Sequence, residues 1–147
     1  MTGHVATARI EIEATAERVW DAMTDPEQVK AYMFGAEVDS DFQPGSPITW
    51  RGEWEGKPFE DKGEVIAAEP GRLLEVTHWS SMSGKEDRPE NYHHVRYELA
   101  ESDGRTSVEL TQDGNDSLEA AEHSAKNWQA MLDGLKKVAE KATAGTR

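Results

Sequence analysis

From Ala6 to Glu13 the chain alternates: Ala6, Ala8, Ile10 and Ile12 are apolar, while Thr7, Arg9, Glu11 and Glu13 between them are polar. A period of two places one set on a buried face and the other in water, so this segment predicts a half-buried strand. The spacing then becomes helical. In "TAERVWDAMTDPEQVKAYM" Val19, Trp20 and Met23 fall on one side, and Thr15 stands where an N-cap belongs. Asp25 can cap a second short helix, with Pro26 at its first position and Gln28 as a capping-box partner.

Turn signals then recur in "QPGSP", "EWEGKP", "AEPGR", "SGKEDRPEN" and "ESDGR", between stretches rich in Val, Ile, Thr, Trp and Tyr. They predict an antiparallel meander with strands near 35–41, 46–54, 57–69, 72–80, 91–100 and 105–113. After them Leu118, Ala121, Ala125, Trp128, Leu132, Leu135, Ala139 and Ala142 recur at steps of three and four, preceded by Asp116 and Glu119 in a D-x-x-E cap pattern. The spacing predicts one amphipathic helix over about 116–143. Its small alanines and single bulky Trp128 suit a helix laid across a curved sheet better than a coiled-coil seam. Gly134 interrupts it, permitting a bend or a close approach to a strand. The order of elements predicts an α+β domain, a strongly bent antiparallel sheet gripping a long helix.

Composition narrows the partners. The 147 residues are read as a single domain, 1–147, long enough to take about 70% of the unfolded chain's surface out of water. With 29 acidic against 16 basic residues the formal charge is -13, which repels nucleic acid and anionic membrane surfaces. The start "MTGHVATARIEIEA" lacks a signal-peptide pattern and no segment approaches the roughly 20 apolar residues of a membrane span, so a cytoplasmic protein is expected. The absence of cysteine removes disulfides, thiolate catalysis and cysteine-based zinc sites.

The segments "IEATAERVWDAMTDPEQVKAYM", "GKPFEDKGEVIAAEPGRLLEVTHW" and "VRYELAESDGRTSVELTQDG" resemble the Hsp90-ATPase-activator-homologue branch of the START-like (SRPBCC) superfamily, over nearly the whole chain. The resemblance implies a helix-grip fold of the START-like or Bet v 1-like kind, with a ligand cavity between sheet and C-terminal helix. It does not name the ligand, because members range from lipid and polyketide binders to cyclases and chaperone regulators.

Alternation then assigns inner faces. In "NYHHVRYEL", His93, Val95, Tyr97 and Leu99 share one face, and Tyr92, His94, Arg96 and Glu98 the other. His93 is expected inside and His94 in water, so the adjacent histidines cannot chelate one metal. Pairing Val76 with Val95 and Leu74 with Tyr97 brings His78 opposite His93. Asp61 is the one inward carboxylate candidate for a third ligand, and ordinary hydrogen bonding at the sheet's mouth is expected rather than a metal or acid/base role. Trp50 and Trp54 on one strand and Phe59 and Asp61 on the next add large walls around Gly52 and Gly63. Trp128 and Leu132, with Met131 at the edge, would close the space from the helix, and Met33 and Phe34 would line an entrance. The candidate ligand-binding set is therefore Trp50, Trp54, Phe59, Asp61, Val76, His78, His93, Val95, Tyr97, Trp128, Met131 and Leu132. The polar loop "SSMSGKEDRPEN" suits either a mobile cover or a plain hairpin connection.

No Ser-His-Asp order, phosphate-binding glycine loop, HExxH or acidic metal motif is present, so no cofactor and no metal are expected. The leading expectation is a non-catalytic protein that binds a small, largely apolar molecule such as a lipid, polyketide or aromatic compound. A cyclase or dehydratase using the same cavity is the first alternative. The second is a chaperone-regulating protein. Against it, this length leaves no room for the additional N-terminal domain of eukaryotic activators. A homodimer through exposed strand edges stays open.

Overall fold

The structure, a computed structural model, describes residues 3–33, 35–54, 56–80 and 84–145, with the side chains of 54 and 142–145 outside that description. Strand β1 (His4–Ile12) leads into α1 (Ala16–Thr24) and α2 (Pro26–Tyr32). Six strands follow: β2 (Glu37–Asp39), β3 (Pro47–Trp54), β4 (Lys57–Glu69), β5 (Leu73–Ser80), β6 (His93–Ser102) and β7 (Arg105–Asn115). The last element is the long helix α3 (Leu118–Gly145). All neighbouring strands pair antiparallel in the order β1-β7-β6-β5-β4-β3-β2, so the chain's first and last strands meet and the meander runs outward from them. The sheet curves around α3 in the helix-grip arrangement.

Local chemistry accounts for the helix starts. Thr15 caps α1 by accepting the N–H of Arg18 at 3.2 Å. At α2, Gln28 donates its side-chain amide to the Asp25 carboxylate at 2.7 Å, and Asp25 makes no side-chain cap bond to the backbone. The cap of α3 differs from the sequence expectation: Ser117 Oγ accepts the N–H of Ala120 at 3.0 Å, whereas Asp116 faces out and pairs with Lys85 at 3.2 Å. Starting at Leu118 rather than 116 also leaves Leu118 66% exposed, outside the apolar stripe.

The stripe proper is Ala121, Met131, Leu132, Leu135 and Ala139, all buried. They close over the inward residues of the sheet, among them Val65, Val76, Val95, Tyr97, Val108 and Leu110. Gly134 permits a close approach, but to α2 rather than to a strand: a Cβ there would lie 3.3 Å from Cβ of Tyr32. Helix α3 also covers part of the free edge of β1. Gln129 Nε2 donates to the Arg9 carbonyl and Lys136 Nζ to the Glu11 carbonyl, both at 3.0 Å, while Glu140 accepts the N–H of Glu13 at 2.8 Å. Those groups are occupied within the chain, which leaves less edge for another strand to pair with.

Candidate functional site

Between the concave face of the sheet and α3 lies a cavity of about 320 Å³. Strands β3 and β4 supply Trp50, Phe59 and Asp61; β5 and β6 supply Val76, His78, Val95 and Tyr97; α3 supplies Trp128 and Met131. Met33 and Ala36, after α2, stand at one end. The register that aligns these walls is the pairing considered above: Val76 faces Val95, Leu74 faces Tyr97, and His78 faces His93. Small residues make room for large ones. A Cβ on Gly52 would lie 3.0 Å from Phe59 Cζ, so the Phe59 ring lies against backbone where any other residue would hold it off.

One polar pair is set into this wall. Nε2 of His78 lies 3.0 Å from Oδ2 of Asp61, and a carboxylate only accepts, so the imidazole is the donor. The ring is steadied by Trp50, whose centroid lies 5.3 Å away in an edge-on contact. Oδ1 of Asp61 and Nδ1 of His78 are shielded from solvent and meet no partner among the described residues. Tyr97 is buried on the same wall, and burial pushes its phenol well above the ordinary range. Tyr32 behind it is raised by burial first and by the neighbouring Tyr97 second. Both therefore stay neutral hydroxyls at physiological pH.

His93 is paired with His78 in register but does not line the cavity. Its Nδ1 takes the Asp113 carbonyl at 2.8 Å, and the ring occupies a space that only the missing side chain of Gly114 provides: a Cβ there would stand 2.6 Å from Nδ1. His94, expected in free solvent, is half-exposed and tied to the buried Asp113. The carboxylate accepts the backbone N–H of His94 at 2.6 Å and lies 3.3 Å from its Nδ1. Leu132 is fully buried in the core beside the cavity and does not form its wall. The side chain of Trp54, and Phe34 as a whole, lie outside the described residues. The loop after β5 does not cover the cavity in its described part, Gly84 to Asn91. It folds back along the sheet's outer side, where Trp79 donates to the Lys85 carbonyl at 3.2 Å, and Asp87 pairs with Lys62 and accepts the Tyr92 hydroxyl.

Three polar wall residues escaped the sequence reading: Gln112, Ser124 and Asn127. Gln112 continues the inward parity of Val108 and Leu110 and accepts from Trp128 Nε1 at 2.8 Å, fixing that indole. Ser124, Asn127, Trp128 and Met131 follow the i, i+3, i+4, i+7 spacing of one helix face. The spacing was visible, but the polar identity of its first two members reads as a solvated face.

A seven-stranded antiparallel sheet wrapped on a C-terminal helix, with a cavity between them, defines a protein of the START-like helix-grip class. Within that class the chain belongs to the family described as Activator of Hsp90 ATPase homolog 1-like protein, whose profile matches residues 13–140. It is similar to the solution structure of ChR145 from Cytophaga hutchinsonii, at 42% identity over 98% of this chain and 99% of that one, with a TM-score of 0.82. The Aha1 dimer from Colwellia psychrerythraea shares the fold at 20% identity, covering 93% and 96% of the two chains, TM-score 0.71. DynU16, a protein of the dynemicin biosynthetic locus, shares it at 16% identity over 96% of this chain and 49% of its own, TM-score 0.77. Among curated proteins none matches.

Proposed function

We propose that this protein binds a small, largely apolar molecule in the cavity between the sheet and α3. The observation that carries this reading is the cavity itself: about 320 Å³ walled by Trp50, Phe59, Val76, Val95, Tyr97, Trp128 and Met131, with Asp61, His78, Gln112, Ser124 and Asn127 as its polar members. The volume falls at the small end of ligand pockets, and apolar walls with a handful of convergent polar atoms are what such pockets use for affinity and orientation. Each Å² of apolar ligand surface withdrawn from water contributes about 25 cal/mol, so apolar surface buried against this wall supports binding without any covalent or metal anchor. Membership of a family with this fold, and a structural neighbour from a biosynthetic locus, agree with a small-molecule role.

The test is uptake of a neutral apolar fluorophore such as N-phenylnaphthylamine by the intact protein, alongside native mass spectrometry of protein from its own source. Fluorescence enhancement in the native chain, lost in Ala36→Phe while the fold survives by circular dichroism, is the expected result. Equal enhancement by the cavity-filled variant, or none by either protein together with a bare native mass, rejects the reading.

A second reading draws on the Asp61–His78 hydrogen bond, which orients an imidazole beside the cavity as proton-transfer chemistry requires. Turnover of a bound molecule that His78→Gln abolishes without weakening binding would establish it. Binding unaccompanied by turnover leaves the protein a carrier or sensor.

A further inference from the structure

The cavity wall carries a charge asymmetry with consequences for what it admits. Among the described residues that line it Asp61 is an acid, and none is lysine or arginine. His78 is the one imidazole among them, and its Nε2 is already engaged by Asp61 Oδ2. The other carboxylate oxygen meets no donor among the described residues, so the acid's charge is answered from one side only. The same cavity is lined by four aromatic residues, Trp50, Phe59, Tyr97 and Trp128. Tyr97 stays a neutral phenol because burial disfavours its anion, so it presents no second negative charge.

We propose, building on the binding reading above, that the ligand is an apolar molecule carrying an amine or other organic cation, and that the cavity discriminates against carboxylates. Three effects point the same way. Aromatic faces attract a cation through their quadrupoles, most strongly where water is excluded. A carboxylate entering this half-open cavity would stand beside Asp61, and the one oppositely chargeable group among the described wall residues, His78, already gives its Nε2–H to that acid. The whole molecule, at -13, draws cations toward its surface and repels anions before either reaches the entrance. A fatty-acid-type ligand, whose head group meets no lysine or arginine among the described wall residues, is the chemistry this wall suits least.

The experiment compares three probes of nearly equal shape, naphthylmethylamine, naphthalenemethanol and naphthoate, by calorimetry at neutral pH on the native protein and on Asp61→Asn. The expected order in the native protein is amine, alcohol, carboxylate, with about tenfold in affinity between successive members. In Asp61→Asn the amine's roughly tenfold advantage over the alcohol is expected to vanish, the ratio being read on one and the same variant, with circular dichroism reporting that the fold is intact. Naphthoate binding as tightly as the alcohol, or an amine preference that survives Asp61→Asn, overturns the charge proposal and leaves apolar binding standing. Uptake of none of the three removes the binding reading itself, and this proposal with it.

Discussion

At Gly63 a methyl group would stand 1.7 Å from the carbonyl oxygen of Thr77, a backbone atom that no rotamer change can move. The glycine lets β4 and β5 close tightly beside the Asp61–His78 pair, and Thr77 Oγ1 completes the join by accepting the N–H of Glu64 at 2.9 Å. Gly63→Ala is therefore expected to destabilise the fold by about 3 kcal/mol, the upper end for overpacking, as read by the urea midpoint. Gly52→Ala crowds the Phe59 ring, at 3.0 Å, which can swing into the cavity, and meets the Ala36 backbone only at an ordinary 3.5 Å; its expected cost is about 1 kcal/mol. The sequence shows both glycines on inward faces next to large residues. It does not show which of them abuts backbone, because that depends on how closely two strands distant from the turn approach each other.

The elements owe their limits to short-range chemistry, and α3 shows how finely. Asp116 and Ser117 are both good cap residues, and the D-x-x-E pattern favours the first. In the fold Lys85, brought over by the loop after β5, holds Asp116, and the hydroxyl of Ser117 takes the helix N–H. Ser117→Ala is expected to lower stability by about 1 kcal/mol in chemical denaturation. Asp116→Ala loses only an exposed ion pair, worth roughly 0.2–1 kcal/mol, and should fall at or below the Ser117 value. The reverse ranking would show that the cap sits one residue earlier. At the same scale, Gln129, Lys136 and Glu140 lie on the rim of the stripe and look like solvated residues in the sequence. The structure employs them to occupy the edge of β1.

Over the whole molecule, the excess of acid dominates. Most ion pairs, such as Arg51–Glu60 and Lys30–Glu37, are exposed on both sides and offset little of the mutual repulsion. Raising ionic strength from about 0.01 to 0.5 M shortens the screening length from roughly 30 Å to a few Å. The midpoint of thermal unfolding should accordingly rise with sodium chloride in differential scanning calorimetry, and a fall would mean that specific surface pairs outweigh the net field. The same screening should narrow the preference for a cationic over an anionic ligand, though less than for exposed charges, since Asp61 lies in a partly closed wall.

Periodicity by itself determined the order of elements and the inward parity of β1, β3, β4, β5 and β6, because alternation and helical spacing are local consequences of backbone geometry; the register that sets His78 against His93 was one of several that parity allows, and the structure selects it. It also gathered most of the apolar cavity wall, since residues of one parity on adjacent strands must share a face. What only the tertiary structure decided is where polar groups end up. His93 turns to a carbonyl beside Gly114, His78 turns to Asp61, and Gln112, Ser124 and Asn127 enter the wall, because each hydrogen bond is chosen among partners far apart in the chain and the choice is made by packing.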